Sequence, residues 1–470
     1  MITRRNFLRN SALGVSAITV APVSAIFNSQ EADLMKAGIV SGNMTANVVP
    51  SGLSVATFDI DATPPVGSTL AYDTVKNDWD LGLRAKGIVL IGAGKPIVMC
   101  AVDWIGIANE SQDVFKQTLA DAVLTDPPRV VVHTLHQHDA PGCDFSAEKM
   151  LKERGMDTKR YEGSFDREFL TRLGKAAKDS LDRLQPVTDI STGKAPVYEV
   201  ASNRRIVKDG KVVGTRFTSC KDPALRSEPE GLIDPDVTLI GFWDGEKPLA
   251  VMTFYATHPQ SYYRTGIPNP DYPGIARFYR QLTIPDALHI HFNGAGGNIG
   301  AGKYNDGSPE NRLILALRLA DGMERAWRNS VKIPVTASEV SWKTEPISLP
   351  VADELIQQIG NRSGNSDFVP DSKNIWAIRT LSGKTIDVAC LGVGQARVLF
   401  MPGELFVEYQ LAAKAFRPDL AVSMAAYGEY GPSYIGTKEA YSQGGYEIES
   451  SPVTPDAEEV LMSAIRKLLT

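Results

Sequence analysis

The histidines of this 470-residue chain fall in three places, each at the end of an apolar, strand-like segment or in the turn just after it. Strand ends that lead into irregular loops are where α/β proteins usually assemble sites, because the sheet fixes the backbone while the loop directs the side chains. These places are therefore the first candidates for chemistry. They hold His133, His136 and His138, then His258, then His289 and His291.

The densest of these places is the run His136-Gln137-His138, which the turn Pro141-Gly142 follows. On an extended backbone two histidines spaced two apart face the same side. This spacing allows one imidazole to bind a metal while the other orients water or substrate. The alternative is that one or both are hydrogen-bonded structural histidines. For His289 and His291, which share one strand face, packing beneath the site is an equal possibility.

A zinc site of the usual histidine and carboxylate type also needs an acidic ligand. Glu404 is the best candidate, because the strand-like run 396–401 ends at the turn Pro402-Gly403 directly before it. A capping or surface glutamate is the alternative. His258 likewise leaves a strand into a proline turn. Aromatic hydroxyls then crowd one glycine-rich region, at Tyr427, Tyr430, Tyr434, Tyr441 and Tyr446.

A glycine-rich segment, 293–302, follows His291 directly. Its glycines permit close backbone approach and positive φ, which suits a nest of amides that holds an anion or oxyanion. The segment does not match the dinucleotide-binding fingerprint, because its glycines are spaced differently and no helix pattern opens immediately after it.

The elements that must position these residues alternate between strand-like and helical patterns. Apolar runs predict strands at 88–91, 97–102, 129–134, 237–243, 249–255 and 288–292. Helical periodicity and capping signals predict helices at 111–124, 165–184 and 309–329. Strands separated by helices over the whole length indicate an α/β protein with mixed β-sheets flanked by helices.

The bulk properties are those of an ordinary globular protein. Hydrophobic residues make up 43% and charged residues 22%, with a formal charge of −6. This balance predicts neither disorder nor an electrostatic footprint for nucleic acid.

The N-terminus carries the pattern of a Tat export signal. Arg4-Arg5 precedes a mildly apolar run and the small-residue segment Val23-Ser24-Ala25. We therefore expect a signal at 1–25, a spacer at 26–50 and one catalytic domain at 51–470. The expected location is periplasmic or secreted, or membrane-anchored if the signal stays uncleaved. No later run is apolar enough to predict a transmembrane span in the mature chain.

Five short motifs, in this order, make the chain similar to the catalytic domain of the neutral/alkaline non-lysosomal ceramidases, over roughly residues 51–450. The motifs are Asp59–Gly67, resembling D-I-T-P-P-x-G; His136–Gly142, resembling H-T-H-S-G-P-G; Ala256–His258 with Pro270–Gly274, resembling A-T-H and G-D-N-K-G; Pro402–Glu404, matching P-G-E; and Tyr434–Tyr441 with Tyr446-Glu447, matching Y-I-T-T-x-E-E-Y and Y-E.

The resemblance implies a zinc-dependent amidase. It implies that zinc is held by His136, His258, Glu404 and Tyr434. It further implies that His138 and Tyr446 line the site beside the metal. Arg204 is implied to contact substrate or the developing oxyanion. The Glu404 assignment therefore rests on the motif order as well as on the local turn.

Two departures separate the sequence from true ceramidases. Gly300 aligns with the serine assigned as their nucleophile, and the immunoglobulin-like domain that follows their catalytic domain has no counterpart up to Thr470. The sequence thus favours an exported zinc hydrolase in which metal-activated water attacks an amide or ester-like bond of a small-molecule or lipid substrate. The alternatives are a zinc-dependent lyase or hydrolase acting on an oligosaccharide or polysaccharide, and a non-catalytic metal-binding homologue.

Overall fold

A computed structural model describes residues 52–362 and 370–470. In chain order the strands are β1 (Ser54–Asp61), β2 (Arg84–Gly92), β3 (Gly94–Val102), β4 (Gly106–Ile107), β5 (Val130–Thr134), β6 (Gly142–Cys143), β7 (Gln185–Pro186), β8 (Asp189–Pro196), β9 (Ser202–Asn203), β10 (Arg205–Lys208), β11 (Lys211–Thr215), β12 (Asp236–Asp244), β13 (Lys247–Tyr255), β14 (Leu288–Asn293), β15 (Ile299–Gly300), β16 (Val331–Pro334), β17 (Val340–Ile347), β18 (Ile386–Val393), β19 (Ala396–Phe400), β20 (Glu404–Leu405), β21 (Ala421–Ala425) and β22 (Tyr434–Ile435).

The helices between them are α1 (Glu110–Val123), α2 (Phe145–Glu153), α3 (Ser164–Ser180), α4 (Pro223–Ser227), α5 (Asp271–Thr283), α6 (Pro309–Arg328), α7 (Asp353–Arg362), α8 (Ser372–Leu381), α9 (Val407–Phe416), α10 (Lys438–Gln443), α11 (Tyr446–Glu449) and α12 (Ala457–Leu469). No helix in the described part of the chain is long and apolar enough to cross a membrane. The predicted export signal (1–25) and spacer (26–50) lie outside the described residues.

Three larger sheets organise the described chain. Their strand orders are β5-β3-β2-β1-β7, β14-β13-β12-β8-β16 and β17-β18-β19-β21. Each combines antiparallel ladders with one parallel pair, and helices lie between the strands along the chain. The predicted α/β class with mixed, helix-flanked sheets is thereby confirmed. Each of the predicted strands and helices overlaps an observed element of the same type.

The three parallel pairs are β3 with β5, β13 with β14, and β19 with β21. Parallel neighbours place their carboxyl ends at the same edge of a sheet, and loops that leave this edge commonly build ligand sites. Every histidine and carboxylate singled out above as a metal ligand leaves one of these ends. The mixed topology therefore decides where the site forms.

The strands of the parallel pairs are buried on both faces over most of their length, which explains why they read as continuous apolar runs. One apolar core lies where the three sheets meet, with Met99, Met252, Phe292, Leu391 and Phe400 among its members. The outer faces are covered by helices: α1 and α3 pack against the first sheet, α5 and α6 against the second, and α9 and α12 against the third. The strand ends are consequently held between packed layers.

One buried ion pair ties the end of β3 to helix α5. Asp103 accepts two hydrogen bonds from Arg277, at 2.7 Å to Oδ1 and 2.6 Å to Oδ2, and both side chains are almost fully buried. The next residues, Trp104 and Ile105, accept hydrogen bonds from the backbone and the ring of His136. The ion pair therefore stabilises the backbone that orients this histidine.

Replacing Asp103 by alanine should lower the free energy of unfolding by about 3–5 kcal/mol, because it leaves the buried Arg277 guanidinium without its counter-charge. Urea denaturation measures this change. The matched control is Asp126→Ala, which removes the exposed ion pair with Lys95 and should cost no more than about 1 kcal/mol. Equal losses in the two variants would contradict the role assigned to Asp103.

The first turn of helix α3 contains a buried acidic residue, Asp166. Burial raises the pKa of Asp166 to about 7, and the nearby carboxylates of Glu162 and Glu148 also raise it. In the unfolded chain the pKa is about 4. Between these values the folded protein keeps a proton that the unfolded chain releases, so the free energy of unfolding falls as the pH rises from about 4 to about 7.

The substitution Asp166→Asn should remove this contribution, because the amide does not titrate. At three pKa units and about 1.4 kcal/mol per unit, the wild type should lose up to about 4 kcal/mol relative to the variant across the window. Urea denaturation near both ends of the window measures the difference. Parallel pH profiles of the two proteins would refute this account.

Candidate metal centre

His136 lies two residues beyond β5 and is held in a left-handed backbone conformation, with φ at 61°. Such a conformation is uncommon for a side chain of this size and requires surrounding contacts. Its backbone N–H donates to Trp104 and its Nδ1 donates to the carbonyl oxygen of Ile105 at 2.7 Å. This fixes the ring and leaves the Nε2 lone pair directed into the site, as in many metal-binding histidines.

Two further histidines surround the same point. His258 follows β13, and its ring centre lies 4.7 Å from that of His136 and 5.1 Å from that of His138. One ring nitrogen from each of the three lies within 4.8 Å of the others. Burial lowers the pKa of both His138 and His258, and the neighbouring His136 adds to this effect. Neutral imidazoles are the form that binds metals.

Glu404 opens β20 and completes the cluster. Its Oε1 accepts a hydrogen bond from the hydroxyl of Tyr430 at 3.1 Å. Its Oε2 lies 3.4 Å from Nε2 of His136 and 4.0 Å from Nδ1 of His258. Burial would raise the pKa of Glu404, but its contacts with His136, Arg204 and the Tyr430 hydroxyl outweigh burial and lower it. The carboxylate is therefore the ionised form, which suits a metal ligand.

Two of these converging atoms, Glu404 Oε2 and His258 Nδ1, are buried without a hydrogen-bond partner among the described residues. Leaving such groups unpaired costs free energy, so each one in a folded protein requires an explanation. A cation between them would satisfy both. The donor set of imidazole nitrogen and carboxylate oxygen fits a metal ion such as zinc.

Tyr434 is placed beside Glu404 by strand pairing. Glu404 and Tyr434 are direct partners in the parallel pair β20–β22, so their side chains project from the same face. The Tyr434 hydroxyl accepts a hydrogen bond from Nη1 of Arg204 at 3.2 Å. The tyrosine ring also contacts Tyr446, with ring centres 5.8 Å apart.

Arg204 lies between β9 and β10 and is buried. Its Nε lies 3.2 Å from Glu447, whose buried carboxylate also faces Arg205 at 3.6 Å. Burial disfavours the Arg204 charge, but Tyr434 and Glu447 outweigh burial and raise its pKa. The site thus contains a permanently charged guanidinium next to the histidine and glutamate cluster.

All seven residues that the sequence singled out line one pocket of about 470 Å³. They are His136, His138, Arg204, His258, Glu404, Tyr434 and Tyr446. The pocket also contains residues that sequence reasoning missed or left without a role, namely Tyr72, Arg160, Phe217, Tyr263 and Tyr430. Of these only Tyr430 carried a signal, as part of the tyrosine-rich region. The others come from loops that no motif marks.

Other candidates from the sequence do not join the cluster. The Nδ1 of His133 donates a hydrogen bond to the carbonyl oxygen of Ala426 at 2.7 Å, and its ring contacts Phe292 and Phe400 in the core. His291 interacts with the hydroxyl of Thr253 in the adjacent strand. His289 is buried as well and is absent from the pocket lining. His289 and His291 therefore have the packing role that the sequence left as an alternative, and His133 is a structural histidine as well.

The glycine-rich segment after β14 packs against the backbone that carries Glu404. The N–H of Gly297 donates to Leu405, and that of Ala295 donates to the side chain of Gln410. A Cβ on Gly297 would lie 2.2 Å from the carbonyl oxygen of Glu404. The glycines therefore allow the segment to pack directly beneath the backbone of Glu404.

Comparison with solved structures defines the class of fold. One neighbour is described as a ceramidase complexed with C2, with a TM-score of 0.62, 15% identity, and coverage of 89% of this chain and 75% of that chain. The other is the neutral ceramidase from Pseudomonas aeruginosa, with a TM-score of 0.61, 15% identity, and coverage of 89% and 74%. This chain has a neutral-ceramidase-like fold. Neither a family model nor a curated protein matches its sequence.

The substitution Gly297→Ala should displace the backbone of Glu404 and lower the free energy of unfolding by about 1–3 kcal/mol, the usual cost of overpacking. Urea denaturation measures this loss. The control is Gly360→Ala in α7, where a Cβ meets nothing within 4 Å. It should leave stability within about 1 kcal/mol of the wild type. An unchanged Gly297→Ala protein would show that the segment is not packed as described.

Proposed function

We propose that this protein is a zinc-dependent hydrolase that cleaves an amide or ester-like bond. The observation that carries the proposal is the pair of unpartnered buried atoms, Glu404 Oε2 and His258 Nδ1, facing the free Nε2 of His136. The neutral-ceramidase-like fold supports it, since both structural neighbours are described as ceramidases. Export through the N-terminal signal, to the periplasm or beyond, is part of the same proposal.

The proposed zinc ligands are His136, His258, Glu404 and Tyr434. Three of them converge in the geometry above, and strand pairing places Tyr434 beside Glu404. When bound, zinc would polarise the substrate carbonyl and lower the pKa of water toward about 7. A protein nucleophile is then unnecessary, which agrees with a glycine at position 300.

His138 is the proposed proton-transfer residue. Its Nδ1 hydrogen-bonds the carbonyl oxygen of His136 at 3.1 Å, which leaves Nε2 available in the pocket. A ring held in this way can accept a proton from water and deliver it to the leaving nitrogen or oxygen. Its neighbour Tyr72 stacks on the ring, at 5.7 Å between ring centres, and restricts its rotation.

Arg204 and Tyr446 are proposed to bind the substrate. Arg204 keeps its positive charge, and its guanidinium can hold a carboxylate or stabilise a developing oxyanion. Tyr446 has 41% of its surface exposed in the pocket lining, so its ring and hydroxyl are open to a ligand. A lyase acting on a uronate would use the same residues, and it differs from the hydrolase in forming an unsaturated product that absorbs ultraviolet light.

His136→Ala and Glu404→Ala should abolish stoichiometric zinc, because each removes a converging ligand. Metal analysis of purified protein measures this. His138→Ala should keep its zinc but lose about 10²–10⁴-fold in turnover of amide and ester substrates, the usual effect of removing a proton-transfer group. Zinc loss from His138→Ala would instead make His138 a ligand.

The matched control is His291→Gln, which alters a buried histidine outside the pocket and should keep full zinc. Zinc retention by both His136→Ala and Glu404→Ala would overturn the ligand assignment. Tight zinc binding by the wild type with no turnover on amides, esters or oligosaccharides would indicate a binding protein.

A further inference from the structure

Two sets of residues, each made of two aromatic rings and one arginine, border the pocket. The proposed chemistry gives a role to only some of them. We define the Tyr72 clamp as Tyr72, Tyr263 and Arg264. We define the Phe217 clamp as Phe217, Tyr446 and Arg204. Both aromatic pairs belong to the lining of the same pocket as the three clustered histidines.

The Tyr72 clamp lies against the histidines. Its two tyrosine rings are tilted by 58° with centres 4.9 Å apart. The Arg264 guanidinium lies 5.4 Å from the Tyr72 ring and 5.5 Å from the Tyr263 ring. Arg264 also has a left-handed backbone, with φ at 66°, a conformation that non-glycine residues adopt at a cost. His138 contacts both tyrosine rings.

The Phe217 clamp also combines two aromatic rings with an arginine, and it lies on the side of Tyr434. Its two rings meet edge to face at 5.4 Å. The Arg204 guanidinium lies 5.6 Å from the Phe217 ring and 5.5 Å from the Tyr446 ring. Arg204 also contacts the hydroxyl of Tyr434. The Tyr72 clamp therefore contacts the reaction site through His138, and the Phe217 clamp contacts it through Arg204 and Tyr434.

The aromatic surfaces of both clamps are open to water. Tyr72, Phe217 and Tyr446 are exposed by 42%, 47% and 41%. Exposed aromatic rings at a polar pocket are suited to a ligand that stacks one face and hydrogen-bonds at its edges. A sugar ring has this character, with apolar C–H faces and a rim of hydroxyls.

The charges around the pocket favour an anionic ligand. Arg160, Arg204 and Lys373 line it, together with the carboxylates of Glu404 and Asp371. Glu404 faces the proposed zinc, and Asp371 accepts the backbone N–H of Asn374 at the start of α8. The lining thus carries three cationic side chains against two carboxylates, of which one faces the proposed zinc, and zinc would add to the positive side.

We propose that the substrate is an acylated anionic oligosaccharide, with one sugar ring on each clamp and its carboxylate or sulfate groups on the arginines. This inference rests on the proposed hydrolase function. Water adds to the acyl carbon, the carbon–nitrogen or carbon–oxygen bond breaks, and the sugar nitrogen or oxygen leaves with the electron pair and takes a proton. The products are a free carboxylic acid and the deacylated sugar.

A lipid amide is the competing substrate. An apolar groove lined by Leu70, Leu151 and Met156 adjoins the pocket beyond Tyr72 and Tyr161. A long acyl chain would have to pass the tyrosine hydroxyls and the Arg160 guanidinium to reach it. Imidazole, hydroxyl and guanidinium groups line the space next to the histidines, and these suit a polar ligand better.

The test is calorimetric binding to the zinc-loaded wild type with four probes, of which the tetragalacturonate and the cellotetraose carry no acyl group and therefore report binding alone. The probes are tetragalacturonate, a chondroitin sulfate tetrasaccharide, uncharged cellotetraose and micelles of a short-chain ceramide. At least one anionic tetrasaccharide should bind about tenfold or more tightly than cellotetraose, and Tyr72→Ala and Phe217→Ala should each weaken it about tenfold or more. The matched control is Tyr198→Ala, which removes an exposed tyrosine under Arg325 that is absent from the pocket lining and should change nothing.

Absence of binding by both anionic probes, equal effects of Tyr198→Ala and the clamp variants, or tighter binding of ceramide micelles than of either anionic probe would each overturn the inference. The readout does not depend on turnover. Hydrolysis of a simple amide without saccharide binding would keep the proposed function and reject the substrate. Clamp-dependent saccharide binding without any hydrolysis would keep the saccharide as the ligand and reject the proposed hydrolase function.

Discussion

A single buried residue, Asn293 at the end of β14, links the carboxyl ends of the parallel strands in all three sheets. Its side-chain Nδ2 donates to the carbonyl oxygen of Leu135 after β5 at 2.6 Å, and its backbone carbonyl oxygen accepts from the N–H of Ala426 after β21 at 2.9 Å. Thr134 adds a further bond to Tyr427. Buried backbone groups must find partners, and here they find them across sheets instead of within them. These bonds fix the positions of the strand ends relative to one another. They thereby also fix the positions of the histidines and the glutamate that follow the strands.

The same junction explains why the site can hold unsatisfied atoms. Glu404 Oε2 and His258 Nδ1 follow directly from the strand ends that this junction holds, and both are buried without a hydrogen-bond partner among the described residues. Their desolvation lowers stability until a ligand binds. A ligand that binds only the folded state returns that free energy. The left-handed backbone of His136 is a second unfavourable feature of the site. Such local strain persists only where the surrounding contacts hold the backbone in place.

The charge of the pocket lining differs in sign from the net charge of the whole chain. The protein carries a formal charge of −6, yet the pocket is bordered by cations. Glu447 is fully buried between Arg204 and Arg205, and Glu408 faces Arg205 as well. This arrangement holds the Arg204 guanidinium in place beside the aromatic rings. Local charge of this kind, and not the net charge, directs which ligands approach a site.

The sequence by itself determined the α/β class, most element positions and the seven candidate residues, because strand ends, proline turns and motif order are local properties. It could not separate His133 and His291, which lie in the core, from His136 and His258, since all four follow or end apolar strands. It also did not show that Gly297, in the glycine-rich segment, packs against the backbone of Glu404. Tyr72 and Phe217 carry no motif. Only the tertiary structure decided these points, because they depend on contacts between sheets and loops far apart in the chain.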